Sequence, residues 1–447
     1  MPRVLVLGAG QSAPFLISRL LEQGLARGFE VVVADLNLER VQERIAGHPN
    51  GRAIGLDAAD DRALAARIRD ADVVVSLLTP RFQAAVAGHC VEFGRHMVSA
   101  SYRSEDVFAL DAAARARGVT VLCELGLDPG LDHLSAMKML DGLRARGGKV
   151  VRFASYGSGV PAPESTDNPL YYVITWNPRN VVMAAEGGAQ FIEAGSLRLI
   201  PYPEVFARTW RVEVRDLGTM EAYANRDSLA YRERYGLQEA HTFLRGTLRH
   251  PGFCEAWHAI ARLGLPNEHL SIPGLPQRSW AEVVEMFLPA VGDSELRRRV
   301  ADHLHIHRTG HAMNAMEWLG FFSDRKIEGD ARTPAQALAN LLQEKLRLRA
   351  DQRDLVILQH EVEAVFPDGN REMITSTLVE YGQPGKMTAM ARTVGLPAAL
   401  GAEMLLAGEP LPRGVVIPTD STIYSPLLLR LAEAGLTFSE HTQAEAP

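Results

Sequence analysis

Three stretches of the sequence combine residue types that could do chemistry. The first is Gly8-Ala-Gly10-Gln11-Ser12-Ala13, which follows the apolar run Val4–Leu7 at once. A G-x-G-x-x-(G/A) turn between a strand and a helix suits a dinucleotide pyrophosphate. The first glycine makes the turn, the second lets the backbone come close, and the small third residue lets helix and strand pack. The helix N-terminus then offers free N–H groups to the phosphates. Asp35 ends the next apolar strand, Glu30–Ala34. A carboxylate there holds the adenosine ribose hydroxyls and repels a 2′-phosphate. NAD is therefore the expected cofactor, with NADP left open because Arg40 lies close in sequence.

The second stretch runs from Val121 to Leu140. A buried strand closes at Cys123, and a Gly/Pro-punctuated loop, Gly126 to Gly130, pushes Asp128 outward. From Leu131 the residues Leu134, Met137 and Leu140 recur at helical spacing. An acid at a strand's carboxyl end, just before a helix, stands where open α/β sheets bind ligands. The same position also suits a helix cap. Tyr102 ends a neighbouring strand, so it or Asp128 could face a nicotinamide and a substrate amine. Asp128 would pair with an ammonium or shuttle a proton. The third stretch joins Asn225-Arg226-Asp227-Ser228 to His241-Thr-Phe-Leu-Arg245-Gly-Thr247-Leu248-Arg249, read as short and loop-rich. Guanidinium forks pair bidentately with carboxylates. These arginines suit either a substrate with several carboxylates or surface ion pairing.

The elements that must position these groups follow a βα rhythm. Further strands are expected near Leu56-Asp57, over Asp72–Leu78, His96–Ala100 and Val119–Cys123, with helices between. Asp57 suits an adenine neighbour or a helix cap. The alternation predicts a doubly wound parallel sheet over residues 1–130, its loops after Leu78, Ala100 and Leu125 gathered at one edge. After about residue 148 the pattern changes. Strands are expected at Val150–Ser155, Tyr171–Trp176, Leu197–Ile200 and Trp210–Val214, with Gly157–Pro163 as a loop. A hairpin is expected around Pro367-Asp-Gly-Asn370. This predicts a mixed, mostly antiparallel α+β domain from 131–245 and 350–390. A helical insert, 246–349, carries capping boxes at Ser279/Glu282 and Thr333/Gln336. The tail, 390–447, is expected to pack back onto the first domain.

Composition narrows the function classes. The chain has 447 residues, 47% hydrophobic and 23% charged, with net charge −7. That is ordinary for a globular protein of two or three domains, and no basic stripe suggests nucleic acid. No apolar run is long enough to span a bilayer, and Met1-Pro2-Arg3 runs straight into a strand, so no signal peptide is expected. Cys90, Cys123 and Cys254 are isolated, which suits a reducing cytoplasm. His303, His305, His307 and His311 alternate, but no acids or cysteines stand at ligand spacing, so no metal is expected. Gly157-Ser-Gly159 lacks the frame of a nucleophile elbow.

Several longer motifs carry a resemblance. They are Glu124-Leu-Gly-Leu-Asp-Pro-Gly-Leu-Asp-His133, Gly159-Val-Pro-Ala-Pro-Glu164, Trp176-x-Pro178, Tyr223-x-Asn-Arg-Asp-Ser228, Ala240 to Arg249, and Ala391-x-Thr-Val-Gly-Leu-Pro397. Together they resemble the glutamate-forming saccharopine dehydrogenases, also called saccharopine reductases. The resemblance implies a Rossmann domain, a mixed-sheet domain that binds substrate and forms a homodimer, and a small helical domain. It implies NAD(P)-dependent cleavage of saccharopine to glutamate and 2-aminoadipate 6-semialdehyde, or the reverse, in lysine metabolism. By motif position Ser101, Tyr102, Asp128, Arg226, Arg245, Thr247, Leu248 and Arg249 would line the substrate. Gly8, Gly10, Gln11, Ser12, Ala13, Asp35, Leu78, Ala100, Ser101, Leu127, Asp128 and Pro129 would line the cofactor. Gly157-Ser-Gly159 stands where relatives often have a cysteine and glycines. That leaves room for a related imine-reducing reaction, as in the carboxynorspermidine enzymes. With no fused lysine–ketoglutarate reductase domain, a stand-alone cytoplasmic enzyme is expected.

Overall fold

The computed structural model describes residues 1–290 and 295–445. The chain divides into two compact units. One comprises Met1–Lys149, Phe366–Asp368 and Leu378–Ser439, the other Val150–Val365, Gly369–Thr377 and Glu440–Pro447.

The first unit alternates strand and helix. It begins β1 (Arg3–Leu7), α1 (Pro14–Arg27), β2 (Glu30–Asp35), α2 (Leu38–Ile45), β3 (Gly51–Gly55) and α3 (Asp61–Arg69). It continues β4 (Val73–Ser76), α4 (Gln83–Phe93), β5 (His96–Ser99), short helices α5 (Glu105–Phe108) and α6 (Asp111–Ala116), β6 (Thr120–Leu122) and α7 (Leu131–Ala145). β1 and β4 are almost wholly apolar and buried, as expected of parallel strands covered on both faces.

The second unit contains β7 (Lys149–Pro161), α8 (Pro178–Val182), β8 (Ala189–Glu193), β9 (Ser196–Ile200), β10 (Trp210–Val214), β11 (Gly218–Ala224), α9 (Leu229–Arg234) and β12 (Thr242–Arg249). Then come α10 (Phe253–Leu263), α11 (Trp280–Glu285), α12 (Leu296–Leu304), α13 (His311–Leu319), α14 (Pro334–Lys345), β13 (Asp354–Val365) and β14 (Arg371–Tyr381). The chain ends with α15 (Ala389–Leu406), β15 (Gly414–Val416), α16 (Ser421–Glu433) and β16 (Ser439–Glu445).

Seven parallel strands form the first sheet, in the order β15-β6-β5-β4-β1-β2-β3. The core of that order is the doubly wound pattern of dinucleotide-binding folds, extended by a strand from the C-terminal region. α15 lies against α1. Gly395 permits the approach: a Cβ there would stand 2.8 Å from the Leu16 backbone nitrogen. Arg19 on α1 binds the buried Glu403 of α15 at 2.7 Å.

The second sheet has nine strands, in the order β10-β11-β12-β7-β13-β14-β16, with β8 on β12 and β9 on β8. β12 is parallel to β7 and antiparallel to β11, so the sheet is mixed. Helices α10 to α14 share the unit of β12. Phe253 and Trp257 of α10 stack at 5.6 Å, and Phe253 packs on Tyr172 at 5.3 Å.

Several local expectations require correction. Gly157–Pro161 is the end of β7, not a loop: Gly157 pairs with Thr247, and the Ser158 hydroxyl donates to the Leu248 carbonyl at 2.7 Å. Likewise Thr242–Arg249 is a regular strand, not loop-rich. Tyr171–Trp176 is not a strand. The Asn168 side chain bonds the backbone of Leu170 and Tyr172 and holds that chain in a turn, with Tyr171 left-handed at φ 48°. Such side-chain bonds compete with a ladder. The Ser279/Glu282 box is complete, whereas Gln336 reaches past Thr333 to the Arg332 N–H.

Gly395→Leu should lower stability by about 1–3 kcal/mol, because neither helix backbone can give way. Urea unfolding of the full chain reads this, and an unchanged midpoint would remove the α1–α15 contact from the stability argument.

Candidate active site

The glycine turn has the shape a pyrophosphate needs. Gly8 adopts φ +102°, and a Cβ there would meet the Leu77 backbone at 3.2 Å. At Gly10 a Cβ would meet nothing within 4 Å, so the backbone stands open to a ligand. Ala13, the cap of α1, has no side chain to occupy the first N–H groups, while Gln11 and Ser12 are half-buried beside it. Asp35 stitches the turn together. Its carboxylate accepts the Ala9 N–H at 2.8 Å and the Asn37 N–H at 2.9 Å. These features fit a bound dinucleotide. Asp57 accepts the Ala59 N–H, and Asp60 caps α3.

The ends of β4, β5 and β6 bring the second group together. Leu78, Ala100, Ser101, Tyr102 and Asp128 are half-buried, and Leu127 and Pro129 are buried. The Tyr102 hydroxyl lies 3.4 Å from an Asp128 carboxylate oxygen. Buried Gln83 bridges the strand ends, donating to the Ser76 hydroxyl and the Leu78 carbonyl and accepting from the Ser99 hydroxyl. Glu124 and His133, both fully buried, pair at 2.8 Å. Sequence reasoning assigned no role to Gln83, Glu124 or His133. They stand in helix, strand-end and helix patterns, and only a polar type at an apolar position could have marked them.

The third group lies on β12. Strand alternation puts Arg245, Thr247 and Arg249 on one face, and Leu248 points its side chain to the other. Arg245 is buried, with its guanidinium carbon 4.4 Å from the centre of the Tyr231 ring, and its N–H donates to the Ser228 hydroxyl. Arg249 is 5% exposed. The rings of Tyr172, Phe253 and Tyr223 stand 5.0, 5.2 and 5.8 Å from it. Its Nη groups donate to the Leu248 carbonyl and the Tyr223 hydroxyl, and its Nε has no partner among the described residues. Burial raises the Tyr223 phenol above its ordinary value, so that oxygen brings no charge to the arginine. Arg226 is exposed, in a left-handed conformation at φ 51°, and the neighbouring Asn225 N–H donates to the Arg245 carbonyl. Outside these groups, His311 stacks on Tyr171 at 5.7 Å.

Comparison with known proteins places this geometry in a family. The saccharopine dehydrogenase NADP binding domain matches residues 4–122, and the saccharopine dehydrogenase C-terminal domain matches residues 126–436. The chain is 37% identical to saccharopine dehydrogenase [NADP(+), L-glutamate-forming] of Pyricularia oryzae, over 96% of each chain. The protein of that name from Schizosaccharomyces pombe is 34% identical over 98% of this chain and 99% of its own. This chain belongs to the saccharopine dehydrogenase family. The apo saccharopine dehydrogenase (L-Glu forming) of Saccharomyces cerevisiae superposes with a TM-score of 0.87 at 32% identity, covering 99% of this chain and all of the other.

Burial suppresses the thiolate form of the cysteines in this saccharopine dehydrogenase family member. All three cysteines are buried. Burial, with the charge of Glu124, pushes the Cys123 thiol up to about 12, and burial raises Cys90 and Cys254 as well. Thiolate is therefore scarce at neutral pH. A disulfide reagent at about pH 8 should label none of the three in the native protein and all three in guanidinium. Rapid native labelling would bring a thiol back into the chemistry.

Proposed function

We propose that the protein is a glutamate-forming saccharopine dehydrogenase that uses NADP(H). In the oxidative direction saccharopine, NADP+ and water give glutamate, 2-aminoadipate 6-semialdehyde, NADPH and a proton. A dinucleotide held at the Gly8–Ala13 turn would supply the hydride acceptor for the lysine-side carbon attached to the bridging nitrogen. Asp128 takes the proton of the bridging ammonium, and the Tyr102 hydroxyl orients its carboxylate. Water then adds to the resulting substrate C=N bond, and glutamate leaves as the amine. The reverse is a reductive condensation.

The observation that carries the reading is Arg249. Among the described residues no carboxylate lies within ion-pair distance of it. A buried ion costs several kcal/mol, and an aromatic cage returns about 2 kcal/mol. A substrate carboxylate would supply the rest. Saccharopine has three, which suits Arg249, Arg245 and Arg226 as partners, with Thr247 beside them.

NADP replaces the NAD expected from Asp35. Both Asp35 oxygens already accept backbone N–H bonds, which spreads the charge that was expected to repel a 2′-phosphate. Arg40 is exposed in the first turn of α2, and the relatives named above carry NADP(+) in their names. We assign the nucleotide to the first unit, and substrate binding and homodimer formation to the second. Sedimentation would read the dimer, and cell fractionation the expected cytoplasmic location.

The test is absorbance at 340 nm with saccharopine and either dinucleotide. Turnover should be faster with NADP+, and Arg40→Ala should raise the KM for NADP+ about fivefold with little effect on NAD+. Arg226→Ala and Arg245→Ala should each lower kcat/KM for saccharopine about 30-fold or more while dinucleotide binding persists. No turnover with either cofactor would overturn the proposal and return weight to the related imine-reducing reaction, which no observation now favours.

A further inference from the structure

Glu124 stands at a crossing of three chain segments. It follows β6, is fully buried, and holds a left-handed backbone at φ 59°. For a side chain of this length that conformation is costly and persists only where the surroundings impose it, most often near functional sites. The surroundings here are explicit. Its N–H donates to the Ser101 carbonyl at 3.1 Å, and one carboxylate oxygen accepts the Arg103 N–H at 2.9 Å. Those bonds grip the chain on both sides of Tyr102. The other carboxylate oxygen meets His133 Nε2 at 2.8 Å.

His133 carries the grip onward. It is the third residue of α7 and fully buried, and its N–H donates to the Gly130 carbonyl at 2.9 Å. Its Nδ1 lies 3.6 Å from Asp132, whose carboxylate also accepts the Gly130 N–H at 2.6 Å. Gly130 closes the loop that displays Asp128. That loop is tight: a Cβ on Gly130 would fall 2.0 Å from the Gly126 carbonyl oxygen. An unbroken path of buried polar contacts therefore joins the Tyr102 segment to the Asp128 loop.

We propose that Glu124 and His133 are a positioning pair that sets the Tyr102 hydroxyl against the Asp128 carboxylate. The pair needs no contact with substrate. It fixes the separation of two groups that approach only weakly by themselves, at 3.4 Å. This inference rests on the role given above to Tyr102 and Asp128. A misplacement of about 1 Å between acting groups is worth about 100-fold in rate. The carboxylate accepts the Arg103 N–H and meets His133 Nε2, and an amide oxygen could still accept the Arg103 N–H.

The experiment is a double-mutant cycle on kcat in the full-length enzyme, with saccharopine and NADP+. Glu124→Ala should lower kcat about 100-fold and leave the KM for dinucleotide within about twofold. Glu124→Gln should restore kcat to within about threefold of wild type. In an Asp128→Asn background, Glu124→Ala should cost almost nothing further, because its effect runs through Asp128. If Glu124→Ala does not fold by circular dichroism, His133→Leu takes its place in the same cycle, with an expected loss of about tenfold. Equal losses in the wild-type and Asp128→Asn backgrounds would overturn the positioning role and leave the site reading intact. An Asp128→Asn enzyme with unchanged kcat would overturn both.

Discussion

A parallel sheet ends all its strands at one edge, and the first unit depends on that constraint. The turn after β1, Asp35 at the end of β2, Leu78 beyond β4, Ala100 to Tyr102 beyond β5, and Glu124 to Pro129 beyond β6 share that edge through strand register alone. Polar groups brought to such an edge lose water and must find partners within the protein. Asp35 takes the N–H of Ala9 in the glycine turn and of Asn37 in its own loop, Gln83 links Ser76 to Ser99, and Glu124 meets Arg103 and His133. Each network joins two strand ends and so stiffens the edge that carries Tyr102 and Asp128.

The second unit solves a different problem, that of holding positive charge in a dry place. β12 supplies three polar side chains on one face because a strand repeats every two residues. Its neighbours then decide the environment of each. Tyr231 lies against Arg245, while three rings surround Arg249. A long aliphatic cation would be expected to snorkel to water. Arg249 instead stays under aromatic cover, where its charge is largely stripped of water.

Much of this was legible in the sequence. The glycine turn, Asp35, the βα rhythm and the Pro367–Asn370 hairpin are short-range signals, carried by residues within a turn or two of one another, and the structure contains each. The segment Gly157–Pro161 was misread because its glycines and prolines mimic a loop. Its pairing with β12 outweighs that composition. Tyr171–Trp176 was misread in the opposite sense: its β-branched and aromatic residues suit a strand, but Asn168 supplies the backbone with nearer partners.

The sequence by itself determined the periodicities, the phosphate turn, the chemical types available at the candidate site and, through its longer motifs, the family. The tertiary structure decided which of those residues meet. β15 joins β6, and Arg413 reaches the Thr120 hydroxyl, 293 residues away in sequence. Glu124 finds both Arg103 and His133, and Arg249 is enclosed by rings from three separate segments. The physical reason is the range of the forces involved. Backbone propensity and side-chain spacing act over a few residues. Burial and hydrogen-bond pairing are settled only when distant segments pack and water is excluded.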